Sequence, residues 1–311
     1  MARGRSAAAP CPPRPPSLRC RPGGSRLRVR GFAALYSAAT IFAFTSLFVR
    51  LASRYYSGLF ISGARFVIGA AFCVVVLFAR YGGVKPKRPA VLVFRGLFGA
   101  GSMAATYAAI SLTGPGRAAL LSNMYPLFVP VFAALFFKER FNPRTLASLA
   151  LCTIGAVLVV RDGSGAALSG DHIAISSAIL AGVAVNFVRL ATGTENPFLI
   201  YLSPCIFGLP ILFFAPMPAG TGGPAGLLLL LGVGGGAFVA QALMAYGYSS
   251  VPAGRGSVVF YWETSLTVLL GALLAGERFN LRFAAGLVFI LAGLWFNRER
   301  RSERTATAGA L

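Results

Sequence analysis

Ten apolar runs, each near the length of a membrane-crossing helix, dominate this 311-residue chain. They fall at 32–52, 58–79, 90–111, 116–137, 145–160, 173–190, 197–215, 225–248, 253–275 and 283–296. A hydrocarbon layer of ~30 Å calls for roughly 17–25 helical residues at 1.5 Å each, and only the shortest runs sit at or below that limit. None alternates polar with apolar, as the ~10-residue strands of a membrane barrel do. Composition agrees. Hydrophobic residues make up 56% of the chain, charged residues 12%, and the mean hydropathy is +0.72. A soluble domain carries about 25% charged residues, so too few polar groups remain to wrap a wet surface around this core. The expected fold is an all-α integral membrane protein of ten transmembrane helices.

Basic residues orient it. Of the 29 Lys and Arg, 21 share the side of the N-terminus, six face the other side, and Arg65 and Arg95 lie within spans. Positive charge is retained in the cytoplasm, so both termini are expected there. This accounts for the net charge of +21 without nucleic acid as a partner.

The segment "KERFNPR" at 138–144 has an echo in "GERFNLR" at 276–282. Asn142 followed by Pro143 is a helix start, because Asn caps free amides and Pro suits the first helical position; Asn280 would do the same for the last span. At this offset of 138, residues 116–155 match 254–293 at 12 of 40 positions. "FVRLA" at 48–52 recurs at 187–191. The expected organisation is a disordered basic tail (1–30), a first five-helix repeat (31–161), a second (162–298) and a disordered C-terminal tail (299–311). Five is odd, so the second copy enters the membrane inverted. Inverted repeats characterise secondary transporters, where two halves rock about a shared midplane site. Some channels are also built this way.

The repeat ends "NMYPLFVPVFAALFFKERF" and "YWETSLTVLLGALLAGERF" resemble the EamA-type members of the drug/metabolite transporter superfamily. In that family a Pro stands about thirteen residues before a Glu-Arg pair; here these are Pro126 and Glu139-Arg140. The second copy keeps Glu277-Arg278 but has Thr264 at the proline position. Arg65-Phe66 in "GARFVIGAA" also fits. The resemblance covers residues 31–298. It implies a carrier whose spans one, three, four, six, eight and nine line a central cavity, with five and ten as buttresses. The small-residue segments "GLFGAGSMAA" and "GVGGGAFVA" in spans three and eight, with Gly232 and Gly236 at GxxxG spacing, suit close helix packing.

Polar groups within spans are the functional candidates. Glu263, near the middle of span nine, is the only acid deep in any span. A charge there costs about 2.5–3.5 kcal/mol on insertion scales, so Glu263 faces water or protein, pairs with a cation, or holds a proton. It could bind a substrate amine or cycle a proton. Arg65 could hold a substrate anion or lock helices through carbonyls, and Arg95 could snorkel to the cytoplasmic interface. Arg50 and Arg189, the pair from "FVRLA", read as interfacial anchors at opposite faces. Asn123 and Tyr125 match Tyr261 and Glu263 by register, and Gln241 matches Met103. Asn186, Tyr246 and Trp262 complete the binding or coupling set. Pro126, Glu139, Asn142, Glu277 and Asn280 read as structural.

Enzymatic readings fail on chemistry. His172 is the sole histidine, and Cys73, Cys152 and Cys205 stand singly, so no metal or other cofactor is indicated. "GPGRAALL" lacks the Lys-Ser/Thr of a phosphate loop. The arginine-rich, acid-free N-terminal tail resembles a transit segment, although its prolines oppose an amphipathic helix and favour a cytoplasmic tail or an overextended start. The expected function is export of a small metabolite across a bacterial inner membrane by alternating access, with a proton as candidate coupling ion. A passive channel or a membrane scaffold is the alternative function, an organelle membrane the alternative location. The expected partners are a small-molecule substrate and the lipid bilayer, with the chain as monomer or homodimer.

Overall fold

The computed structural model describes residues 24–113, 121–138, 142–160, 168–215, 222–275 and 281–296. All regular structure among them is helical. In hydrocarbon no water is available, so each backbone amide must find its partner within its own segment. Helix α1 (Gly24–Ala52) begins inside the stretch expected to be tail, which ends at residue 30. Helix α2 (Gly58–Tyr81) starts where the Ser57 hydroxyl accepts the Phe60 amide at 3.3 Å. It stops at Gly82, whose φ of 62° is the left-handed conformation that glycine adopts without strain. Helices α3 (Pro89–Thr113), α4 (Tyr125–Phe137) and α5 (Pro143–Val160) follow. The start of α5 is as expected: Asn142 Oδ1 accepts the Arg144 amide at 3.0 Å, with Pro143 in the first position. Next come α6 (Leu168–Thr192) and α7 (Pro197–Gly208), which runs on into a 3-10 turn (Leu209–Phe214). Helix α8 (Gly223–Tyr248), the short α9 (Ala253–Val259), α10 (Tyr261–Ala275) and α11 (Leu281–Phe296) complete the order.

Among the described residues, six segments are long and apolar enough to cross a membrane: Leu27–Ala52, Gly58–Tyr81, Pro89–Thr106, Gly170–Thr192, Pro197–Phe214 and Gly223–Tyr248. Helix α4 is apolar but shorter. Phe72, Val75 and Phe78 on α2, Leu228 on α8, and Phe213 and Phe214 after α7 all stand exposed. So much outward-facing hydrocarbon suits lipid and not water. The chain is an integral membrane protein. The span expected at 253–275 is not one continuous helix, because it breaks at Phe260 between α9 and α10. Of the run at 116–137, residues 116–120 lie outside the described residues, as do Glu139, Glu277 and Asn280.

Close packing holds the helices together. The broadest interfaces join α1 to α8, α3 to α6 and α5 to α11; α2 lies on α7 and α8, and α7 also meets α3. Many contacts are aromatic or branched side chains seated where a glycine leaves room. Gly96 on α3 receives the Phe207 ring, and Gly234 on α8 receives Ile68. Gly69 faces the Tyr201 ring and Gly208 the Phe66 ring. The GxxxG pair behaves alike, with Gly232 under Phe48 and Gly236 under Thr45 of α1. Between α5 and α11, Ser148 Oγ donates to the Gly293 carbonyl at 2.5 Å and Cys152 Sγ to the Ile290 carbonyl at 3.6 Å. Gly155 meets Gly286. Rising numbers on α5 meet falling numbers on α11, so these two helices are antiparallel.

Gly96→Val forces a branched side chain into the Phe207 ring and the Ser203 carbonyl. Overpacking of this kind costs about 1–3 kcal/mol, and thermal unfolding of the detergent-solubilised protein should shift down accordingly. Gly101→Ala, where a new methyl group meets only Leu180 at 3.8 Å, should leave the transition in place.

Candidate functional site

Two interrupted helices meet at the centre of the packing. In α9 the Phe260 amide donates to the Ser257 carbonyl at 3.1 Å, a tightened turn, and α10 restarts at Tyr261. Before α4, the Met124 amide donates to the Leu121 carbonyl at 3.2 Å. Pro126 has no amide to continue the ladder. The two breaks touch: Ser257 Oγ donates to the Pro126 carbonyl at 3.4 Å and to the Gly254 carbonyl at 2.9 Å. The Phe260 ring packs at 6.3 Å from each of the Phe42, Tyr125 and Tyr248 rings.

Around this joint the expected binding residues separate into groups. Tyr125, Trp262 and Glu263 are half-buried beside the break, and Asn123 is half-buried in the turn before α4. Trp262 Nε1 donates to Thr40 Oγ1 of α1 at 3.1 Å. Glu263 occupies the first turn of α10, near enough to Arg65 and Tyr125 to interact electrostatically with both.

A second polar group lies between α2, α3, α7 and α8. Arg95, only 5% exposed, extends its Nη2 to Gln241 Oε1 at 3.3 Å. The expectation that Arg95 snorkels is therefore wrong; its guanidinium folds back over Gly99, where any Cβ would collide with it. Arg65 Nη1 points at Met103 Sδ at 3.8 Å. Register had matched Met103 with Gln241, and each meets one of the two arginines. Tyr201, missed in the sequence, brings its hydroxyl against Arg65 and the Cys205 thiol without a well-formed hydrogen bond. No motif marks it.

Other expected residues lie elsewhere. Asn186, 1% exposed, donates to the Val129 carbonyl at 3.0 Å and the Gly182 carbonyl at 2.9 Å, pinning α6 to α4. Tyr261 is buried with Leu149, Cys152 and Ile290, its hydroxyl 2.8 Å from Thr153 Oγ1. It braces α10 against α5 and α11. Tyr246 is 47% exposed. Asn142 lines a cavity of about 480 Å³ at one end of the bundle, together with Arg28, Arg189, Arg255, Ser249 and Thr145. There Arg189 donates to the Tyr248 and Val251 carbonyls and stands over the Phe137 ring, 5.8 Å from its centroid. Glu195, also missed, is 6% exposed and accepts the Arg88 amide, joining the turn before α7 to the start of α3.

Interrupted apolar helices around enclosed charges define a membrane transporter rather than an enzyme. The chain belongs to the EamA-like transporter family, whose model matches residues 29–161 and again 168–298. It is similar to the mouse (Mus musculus) Solute carrier family 35 member G1, 27% identical over 68% of this chain and 65% of that protein. A Probable amino-acid metabolite efflux pump of Salmonella typhimurium is 28% identical over 90% of this chain and 99% of its own length. The Pseudopaline exporter CntI of Pseudomonas aeruginosa is 28% identical over 51% of this chain and 59% of its own. One solved crystal structure superimposes with a TM-score of 0.72 at 21% identity, covering 86% of this chain and 97% of that one. It shares the fold.

Asn186→Ala removes the bond to the Val129 carbonyl of α4 and the bond to the Gly182 carbonyl one turn back on α6 itself. An intramolecular hydrogen bond contributes about 0.5–1.5 kcal/mol, so the variant should melt earlier and yield less folded protein. Tyr246→Ala, on an exposed position, should match wild type in the same thermal scan.

Proposed function

We propose that this chain is a secondary exporter of a small metabolite, with two inverted five-helix repeats (31–161 and 162–298) rocking about the joint between α4 and α9–α10. The observation that carries this reading is the reciprocity of the packing. The offset of 138 takes Ser148, Cys152 and Gly155 onto Gly286, Ile290 and Gly293, and these six positions face one another across α5 and α11. A near-identical offset takes Gly96 onto Gly234 and Ile68 onto Phe207; Gly96 holds Phe207, while Gly234 holds Ile68. Contacts between copies that exchange in this way are what a pseudo-twofold axis produces. The antiparallel α5 and α11 start at opposite ends of the bundle, as one copy upside down requires. With the six long segments, α4, α5, the broken α9–α10 pair and α11, this reading has ten spans.

Alternating access needs one site reachable from either side. Glu263, half-buried at the break, is the group we assign to coupling: it meets a substrate amine or a proton, never both. Opening to the cytoplasm fits the cavity lined by Arg28, Arg189 and Arg255, because retained positive charge marks that face. The efflux pump and exporter among the relatives support outward transport, and the bacterial examples support an inner-membrane location.

Reconstituted in proteoliposomes with a metabolite mixture, the protein should show counterflow, in which external substrate accelerates exit of labelled substrate; an open pore would not. Glu263→Gln should insert and fold normally yet lose transport and its response to an imposed pH gradient. Unchanged transport at every pH would remove Glu263 from the mechanism. Single cysteines at Asn142 and Leu281, in a background without native cysteines, should react with an impermeant maleimide from opposite faces. Labelling from one face would overturn the inverted arrangement.

A further inference from the structure

Arg65 and Arg95 are two cations inside the spanning body, where among the described residues the one acid is Glu263, in electrostatic reach of Arg65. Each guanidinium is a fixed fork of donors suited to bidentate oxyanions. Their hydrogen-bond acceptors among the described residues are one amide oxygen, from Gln241, and one thioether, from Met103. Nε of Arg65 and Nε of Arg95 are both buried without a partner, as is the Tyr201 hydroxyl beside Arg65. The two guanidiniums are also close enough to repel one another electrostatically. Structural arginines in a membrane protein are saturated by carbonyls or carboxylates, and Arg189 with its two carbonyls does this in the same chain. Arg65 and Arg95 do not. Gly99 clears the notch that lets Arg95 turn inward.

From this we infer that Arg65 and Arg95, with Tyr201 and Gln241, form a two-cation subsite for the carboxylates of the transported solute. The inference rests on the transporter reading above and gives it a substrate class. Two cations facing one acid are complemented group for group by a small amino dicarboxylate, its carboxylates on the arginines and its ammonium toward Glu263. A dicarboxylate without an amine satisfies the arginines alone, and a neutral amino acid satisfies one of them.

The test uses the full chain purified in detergent and in proteoliposomes. Glutamate and succinate should raise its melting temperature in a concentration-dependent manner, glutamate at lower concentration, with alanine weaker and putrescine and glucose without effect. Radiolabelled glutamate should show counterflow. Arg95→Gln removes a charge-assisted pair of hydrogen bonds and should weaken glutamate binding by about tenfold or more, while narrowing its advantage over alanine. Should Arg95→Gln not fold, Gln241→Glu serves: it supplies Arg95 with an internal anion and should abolish glutamate binding in a protein at least as stable as wild type. A merely structural Arg95 predicts no change in this ligand ranking.

Two failures are distinguishable. Counterflow of a neutral or cationic solute with no stabilisation by glutamate or succinate overturns the subsite and leaves the carrier reading standing. Stabilisation by glutamate that Gln241→Glu removes, without flux of any solute, upholds the subsite and overturns the carrier reading. Absence of both effects overturns the subsite.

Discussion

Everything in this fold depends on how closely helices approach one another in a solvent as apolar as their own side chains. Lipid offers no hydrophobic reason for two helices to associate, so contact must come from fit. Glycine supplies the fit here by being absent at the point of contact. Phe207 occupies the place of a Gly96 side chain, Ile68 that of Gly234, and Arg95 that of Gly99. The first two hold the copies together; the third lets a charge lie inside them. One device thus serves both the scaffold and the site, and on α3 Gly96 does the first and Gly99, three residues on, the second.

The joint between α4 and α9–α10 follows from the same economy of backbone. Pro126 removes an amide from one copy, while in the other the ladder is interrupted at Phe260, with Thr264 at the proline position. Different residues reach a similar result because the partner break, through Ser257 and the Pro126 carbonyl, shares the load. Glu263 then sits in the first turn of α10, beside that break.

Much of this was legible in the sequence. The long apolar runs gave the helices, Asn142-Pro143 gave a cap, and Gly232 and Gly236 at GxxxG spacing marked a close helix contact, with α1. Family membership followed from the repeat ends. What the sequence did not reveal depends on direction in space. Arg95 reads as a snorkelling residue because it lies near a helix end; only the notch at Gly99 and the oxygen of Gln241, 146 residues away, turn it inward. Tyr246 and Tyr261 look equivalent as aromatic candidates, yet one is exposed and the other is sealed against Thr153. The break at Phe260 is invisible since no proline or glycine stands there.

Arg189 has a consequence of its own. Its bonds to the Tyr248 and Val251 carbonyls fix it to the corner between α8 and α9, and it also stands over the flat face of Phe137 on α4. A ring face attracts a cation with little regard to lateral position, unlike a hydrogen bond, which is lost within an ångström or two. Such a contact tolerates sideways travel between the corner and α4 and resists their separation.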